Sequence, residues 1–314
     1  MNAQGPRRPR RAIDGVLLLD KPRGISSQAA VSRAKNLLGA AKAGHTGTLD
    51  PMATGLLPVA FGEATKFSQA LLEADKGYIA EVRLGVTTTT GDAEGEVMRT
   101  VPVAVDRAQV EATLAPLRGE TEQTPPMYSA LKYAGRPLYE YARAGAEIER
   151  APRRIRISTL EIVDLHDDLL TILVVCSKGT YIRVLGENIG EALGCGASLG
   201  ALRRTHVGRF SVDQAIGLED LTAASAGERL ARLLPVDALV ADLPRLELGQ
   251  DEAARLLRGQ ALLRATAQNG LVRVYGPGPA FLGVAERAAD GLRARRLVAT
   301  EPFKLGKTQS YGVK

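Results

Sequence analysis

The sequence predicts an α+β protein, in which one large domain of intermixed strands and helices is followed by a smaller β-rich module. Three observations predict it. Apolar and polar residues alternate along Tyr78–Leu84, the period of two of a half-buried strand. Ile182, Leu185, Ile189 and Leu193 recur at intervals of three and four, which places them on one face of a helix. Close to the C-terminus, the strand-like runs Leu271–Tyr275 and Phe281–Ala285 are split by Gly276-Pro277-Gly278-Pro279.

The N-terminal residues 1–12 contain GPRRPRR, with four arginines, two prolines and no apolar stripe, and so read as a disordered basic tail rather than a signal peptide. Gly15–Asp20 reads as a buried strand that Lys21-Pro22-Arg23-Gly24 breaks. Ser26 or Ser27 then caps a helix carrying Val31, Ala34, Leu37 and Leu38. Gly44–Gly55 is too rich in Gly and Thr for regular helix or strand and reads as a loop. GVTTTTGDAEGE, from Gly85, reads as a second, polar loop. Asp106 is placed to cap a helix with Val110, Leu114 and Leu117, and Pro125-Pro126 opens a different kind of segment.

Met127–Arg154 mixes basic and acidic residues with four tyrosines and has weak apolar periodicity, the pattern of a surface insertion. Ile155–Val163 and Leu170–Ser177 read as strands, the second leading through Lys178-Gly179-Thr180 into the helix of Ile182–Leu193. His206 falls in a segment read as a turn. After LLPVDALVADLP a boundary is expected at Leu243–Gly249, where a short helix starts the tail module. The resulting division is 1–12 tail, 13–243 main domain with 127–154 as insertion, 244–300 β-rich module, and 301–314 unassigned.

A chain of 314 residues with 45% hydrophobic and 24% charged residues has the composition of a folded globular protein, neither disordered nor membrane-embedded. The longest early apolar run, Val16–Leu19, is far too short to span a bilayer, which gives a cytoplasmic location by default. Forty-one Lys and Arg against 35 Asp and Glu leave a net charge of +6 and favour a polyanionic partner. The two cysteines, Cys176 and Cys195, form no C-x-x-C pair, and the three histidines are scattered, so neither a disulfide nor a protein-built metal site is expected.

The densest chemistry lies in GHTGTLDPMATG, Gly44–Gly55. Pro51 pushes Asp50 out of the right-handed helical region and fixes the following φ, so that the carboxylate is presented in one geometry. An Asp-Pro pair also opens ordinary turns. A phosphate-cradling Walker loop requires a Gly-Lys-Ser/Thr that does not follow here.

This loop resembles the signature of the TruB-type tRNA pseudouridine synthases, matching every fixed position of G-H-T-G-x-L-D-P-x-A-T-G. DKPRGISS (Asp20–Ser27), KGY (Lys76–Tyr78), SKGTYIR (Ser177–Arg183) and LRRTHVGRF (Leu202–Phe210) agree in order. The resemblance spans roughly residues 13–300. It implies a catalytic domain built on a mixed, largely antiparallel sheet, followed by a small PUA-like β-barrel that binds RNA. The implied activity is isomerisation of one uridine, position 55 in the T-loop of tRNA, with no cofactor.

The resemblance makes Asp50 the essential aspartate, Tyr78 the aromatic that packs on the flipped base, and Arg183 the arginine paired with the aspartate. It makes His45 the residue that helps the nucleotide leave the stack, and Leu202 an apolar pocket wall. Lys21 and Pro22 match basic and structural residues near the site, and Thr46, Gly47 and Lys178 are further expected substrate contacts. Met127–Arg154 resembles an RNA-gripping thumb, and Arg293, Arg295 and Arg296 are candidate RNA-backbone contacts.

Each role has a physical basis. A uridine must be extruded before its glycosidic bond is reached, and an aromatic ring can stack on it once it is out. Arg183 falls in the first turn of a predicted helix, where the macrodipole disfavours a cation, and a nearby acid would explain its placement. Its guanidinium is expected to hold Asp50 bidentately and keep it ionised. The T-arm of tRNA is the expected partner, with no membrane, no obligatory protein partner and a monomeric state. A non-catalytic RNA-binding protein and a guide-RNA-dependent synthase stand as the alternative readings.

Overall fold

The computed structural model describes residues 10–263, 269–278 and 280–299. Most of the basic tail, Pro279 and the segment 300–314 lie outside the described residues. β1 (Gly15–Lys21) is buried along most of its length because it lies between two other strands. Ser26 caps α1 (Ser27–Leu38) by accepting from the Ala29 N–H, and Gly39, at φ +68°, ends the helix. β2 (Ala43–His45) and β3 (Thr54–Phe61) pair antiparallel and carry the Gly/Thr-rich segment between them. The expected loop is thus corrected at both ends, since Gly44, His45, Thr54 and Gly55 belong to strands.

A 3-10 turn and α2 (Ser68–Glu73) lead into β4 (Lys76–Leu84), which buries alternate residues over its second half. The segment expected as a polar loop instead opens with β5 (Val86–Thr88), which pairs with β6 (Val97–Thr100). α3 (Arg107–Leu114) starts at Asp106 with a capping box closed by Gln109, and β7 (Gly119–Gln123) follows. The insertion folds as a tight hairpin, β8 (Lys132–Tyr133) and β9 (Arg136–Pro137), and then α4 (Leu138–Arg143). It ends two residues early, because Arg153 and Arg154 already pair in β10 (Arg153–His166). β11 (Leu169–Cys176) leads to α5 (Ile182–Ala192), which buries Ile182, Leu185 and Ile189. β12 (Ala197–Val207) contains His206, which lies in a strand rather than a turn. β13 (Phe210–Ser211), β14 (Ile216–Gly217), α6 (Leu218–Ala223) and α7 (Ala226–Ala231) complete the large unit.

The large sheet runs β14-β1-β3-β12-β4-β11-β10-β7, with β2 paired to β3 and β13 to β12. Only the β1–β14 and β3–β12 pairings are parallel, so the sheet is mixed and largely antiparallel. A core of Val82, Leu84, Leu114, Ile172, Leu185 and Ile189 fills the space between the sheet and helices α3 and α5. A second core packs α1 and α6 onto β1 and β3.

Toward the C-terminus, β15 (Arg245–Glu247), α8 (Gln250–Leu257), β16 (Gly270–Tyr275), β17 (Phe281–Ala288) and β18 (Gly291–Leu297) form a four-stranded sheet with its own helix. The helix expected to open this module begins only at Gln250; a strand precedes it, parallel to β16. Leu248, Ala253, Leu256, Val274, Leu282 and Leu292 make a separate small core. The module is nevertheless docked. Phe281 and Val284 join a cluster with Phe67, Leu71, Leu239 and Val240, the rings of Phe67 and Phe281 lying 5.4 Å apart. Among the described residues no helix is long and apolar enough to cross a membrane.

Candidate active site

Between β2 and β3 the backbone polar groups of the loop are tied down one after another, which is what holds a Gly-rich segment still. Thr46 is completely buried, its N–H and hydroxyl both directed at the Pro58 carbonyl, at 3.1 and 3.4 Å. Arg204 donates to the carbonyls of Gly47 and Thr48, at 3.1 and 3.3 Å. The buried Ser27 hydroxyl both accepts from the Leu49 N–H and donates to the Leu49 carbonyl, at 2.8 and 2.9 Å. The Pro51 carbonyl accepts from the Gly24 N–H at 2.8 Å and from the Lys21 ammonium at 3.3 Å. Asp50 therefore projects from a loop fixed on both sides. At Gly55, where φ is +101°, an added Cβ would lie 2.3 Å from the Arg204 carbonyl oxygen, so only glycine lets β3 and β12 approach so closely.

Arg183 meets Asp50 as the helix argument requires. It sits in the first turn of α5, almost fully buried, and its Nε lies 3.1 Å from the Asp50 carboxylate, which is 39% exposed to the cleft. The same Nε lies 3.6 Å from the buried Asp92. The pairing is not the bidentate clamp expected from the sequence. Nη1 and Nη2 instead donate to the carbonyls of Thr90, at 3.1 Å, and Tyr128, at 2.6 Å. One guanidinium thus joins the Asp50 loop, the β5–β6 loop and the root of the insertion. Burial pushes the Asp50 carboxyl above the usual carboxylate range; the neighbouring Asp92 charge adds to this, while Arg183 and Lys21 oppose it.

Tyr78 and Leu202 form an apolar wall opposite this charge, and with Asp50, Arg183, Gly47 and Lys178 they line a cleft of about 340 Å³. Tyr78 is buried opposite Arg204 of the neighbouring strand, and burial pushes its phenol up while the Arg204 charge opposes the shift. Lys178 stands at the exposed rim, ion-paired with Glu73. His45 is half-buried on β2, outside the lining, and its Nδ1 accepts from the Gly47 N–H at 3.4 Å; burial and then Arg204 hold the imidazole below its ordinary value.

Lys21 is completely buried, and its ammonium is taken up by three carbonyls, those of Pro22, Ile25 and Pro51, so it supports the loop from beneath and does not reach the cleft. Burial lowers it to about 8. Thr46 is likewise outside the cleft lining, its hydroxyl directed at the Pro58 carbonyl, and Pro22 is exposed. In the insertion Ser129 and Leu131 line the cleft, while Arg136 and Arg143 lie over the rings of Tyr141 and Tyr139, at 5.1 and 5.5 Å from their centroids.

Two residues of the site were missed by sequence reasoning. Asp92 was hidden in a segment that reads as a solvated turn; the signal was an acid flanked by Thr90 and Gly91, and Thr90 does donate to its carboxylate at 2.6 Å. Arg204 was hidden in a run of basic residues. Its signal was the spacing Leu202, Arg204, which puts both on one face of a strand.

Asp92 yields a prediction. Asp92→Asn removes a negative charge that raises the Asp50 carboxyl and one of the two acids that hold Arg183. The acid limb of the rate–pH profile is expected to move to lower pH, and the single-turnover rate to fall about tenfold. A limb that stays in place or moves up contradicts the coupling.

Comparison with known proteins shows what the chain is similar to. The chain matches the "TruB family pseudouridylate synthase (N terminal domain)" over residues 35–182 and the "tRNA pseudouridylate synthase B C-terminal domain" over 183–241. It matches "Pseudouridine synthase II TruB, C-terminal" over 244–298. It is 57% identical to tRNA pseudouridine synthase B of Aromatoleum aromaticum, covering 94% of this chain and 96% of that protein. With the protein of that name from Ralstonia nicotianae it shares 56% identity, covering 94% and 98%. Among solved structures, a chain of an H/ACA RNP bound to a substrate RNA containing 2'-deoxyuridine superposes with a TM-score of 0.71 at 25% identity, covering 96% of this chain and 92% of that one. A chain of the archaeal box H/ACA sRNP Nop10-Cbf5 complex gives a TM-score of 0.69 at 25% identity, covering 94% and 88%.

Proposed function

Because the chain belongs to the TruB family of pseudouridylate synthases, we infer that it isomerises a uridine of tRNA to pseudouridine and that Asp50 is the residue that acts on it. The observation that carries the site assignment is the tied-down loop presenting Asp50 beside Arg183, across a cleft from the Tyr78 ring. The N1–C1′ bond breaks with its electron pair leaving on the base; the base rotates, C5 bonds to C1′, the C5 proton passes to water and N1 takes up a proton. Asp50 can serve this balance as nucleophile on C1′, as nucleophile on C6, or as base toward a sugar proton.

The other residues take supporting roles. Arg183 holds the carboxylate ionised and oriented. Tyr78 stacks on the extruded uracil against the Leu202 wall, and Gly47 leaves room for its edge. His45, neutral and at the start of the loop, fills the space that the nucleotide vacates in the RNA. Lys178 meets a phosphate at the rim after leaving Glu73. Lys21, Pro22 and Thr46 hold the loop and do not touch RNA.

We propose further that residues 13–243 are the catalytic domain, with 127–154 as a thumb that grips the RNA. Residues 244–300 are then a PUA-like β-barrel that binds its backbone. The four-stranded sheet and its exposed Arg293, Arg295 and Arg296 support that reading; Arg293 also pairs with Asp290 and Arg295 with Glu286. The enzyme acts in the cytoplasm as a monomer, on the T-arm alone, with no protein partner.

The test uses an unmodified tRNA transcript and no other RNA or protein. After incubation, a carbodiimide marks pseudouridine and primer extension locates it. One new stop is expected, at uridine 55 of the T-loop. Stops scattered through stems, or none without an added guide RNA, contradict the proposal.

A further inference from the structure

Arg204 is 1% exposed, and among the described residues no carboxylate pairs with its charge. Its Nε donates to the Leu56 carbonyl at 2.7 Å, and its two Nη groups to the Thr48 and Gly47 carbonyls. Among the described residues no acidic group lies within ion-pairing distance of it, in contrast to Arg183, which has two. A guanidinium withdrawn from water into a set of neutral oxygens is destabilising, and a well-packed apolar side chain would fill the same strand position more favourably. What the guanidinium does there follows from where it reaches.

In the β12–β4 pair Arg204 is directly opposite Tyr78, so the two side chains share a face. On the other side of β12 lies β3, with Arg204 opposite Gly55 at the end of the Asp50 loop. One planar group therefore spans three parts of the site: the loop carbonyls just before Asp50, the strand that follows the loop, and the phenol of the ring across the cleft. Its donors diverge in a plane, so each bond fixes the direction of the others; an ammonium on a flexible stem does not do this.

We propose that Arg204 is a positioning residue for the isomerisation, setting the distance and angle between the Asp50 loop and the Tyr78 ring so that an extruded uridine meets both without rearrangement. The proposal rests on the assignment of Asp50 and Tyr78 to the flipped nucleotide. It separates Arg204 from Arg183. Arg183 holds the carboxylate itself, whereas Arg204 holds the backbone that presents it.

The experiment compares Arg204→Lys, Arg204→Met and Tyr78→Phe, alone and with Tyr78→Phe added to Arg204→Lys, by tRNA affinity and by single-turnover rate with enzyme in excess. If the planar fork matters, Lys and Met variants lose similar amounts, about 10- to 100-fold in rate, because small misplacements of reacting groups cost that much. Affinity for tRNA stays within about threefold, since neither the cleft rim nor the basic surface changes. Tyr78→Phe alone lowers the rate by about three- to tenfold, and has no further effect on Arg204→Lys, because the phenol acts through the fork.

A Lys variant with wild-type rate overturns the proposal, as does a fall in affinity that accounts for the whole loss. Should the Arg204 variants not unfold cooperatively, Tyr78→Phe decides alone, since it keeps the three carbonyl bonds and removes the hydroxyl of the ring opposite Arg204; a wild-type rate then overturns the proposal. If wild-type protein itself forms no pseudouridine, the functional assignment fails instead, and the two failures are distinguishable.

Discussion

Asp50→Asn is expected to give a folded protein that binds tRNA transcript with wild-type affinity and turns it over at least about 10⁴-fold more slowly, the scale of loss seen when an acting group is removed outright. The substitution keeps the size and most of the hydrogen-bonding shape of the side chain while removing its charge and its nucleophilicity. Apart from the Arg183 contact to its carboxylate, the bonds that hold the loop do not change, because those from Thr46, Arg204, Ser27 and Lys21 all go to backbone groups or to residues other than Asp50. Arg183 keeps Asp92 as a partner.

Stability supplies a second readout with a definite sign. The Asp50 carboxyl is raised in the folded protein, first by burial, so its contribution to stability is complete below the ordinary carboxylate value and is lost as pH rises through the raised value. At neutral pH Asp50 therefore costs stability, and Asp50→Asn should unfold no earlier than wild type. The difference should shrink as pH falls toward the usual carboxylate range. A thermal midpoint clearly below wild type at neutral pH would mean that the carboxylate holds the loop together and that lost activity reports lost structure.

Tyr78→Ala should rank next, with a single-turnover rate lowered by up to about 100-fold, because stacking of a base on an aromatic ring is worth about 1–3 kcal/mol. Alanine also leaves a cavity beside Leu202 and frees Arg204 from its neighbour across the strands. Removing a buried aromatic costs about 3–5 kcal/mol of stability, so the rate is measured well below the thermal transition. Tyr78→Phe keeps the ring and loses only the hydroxyl; it should therefore stand much nearer to wild type. Phe and Ala variants with equal rates would show that the hydroxyl, not the ring, acts on the substrate.

Elements whose residues answer to one neighbouring surface were legible in the sequence. The alternation in β4, the helical spacing in α5 and the Ser26 and Asp106 caps all appear where local chemistry places them. The Asp50 loop was legible from its own composition, and Arg183 from its conflict with a helix dipole, which an acid had to resolve.

The rest depends on contacts between distant segments. β3 is apolar without alternation because both of its faces are covered, and so it showed no strand period. Asp92 sits in residues that would suit solvent, and only the fold of the β5–β6 loop against α5 buries it. Arg204 was obscured because irregular pairing in β12, between Leu199 and Ala201 and again between Arg204 and His206, shifts which residues face inward. β18, with five exposed or half-exposed residues among GLRARRL, offered no apolar stripe at all.

The division of labour around Arg183 was also beyond the sequence. A guanidinium beside an acid suggests a fork-to-carboxylate pair, yet here two of its nitrogens hold the Thr90 and Tyr128 carbonyls and only Nε faces Asp50. The residue is a junction between three segments, and the carboxylate is one of the things it joins.

The central claim, that the protein isomerises a tRNA uridine through Asp50, has one direct readout. Rejoining the base through C5 expels the C5 hydrogen, so tritium at C5 of uridine enters water once for each pseudouridine formed. On a folded tRNA transcript labelled at every uridine, wild-type protein should release label equivalent to about one uridine per tRNA, and Asp50→Asn almost none over the same time. Background release by the wild type, or release by Asp50→Asn at the wild-type rate, would contradict the account.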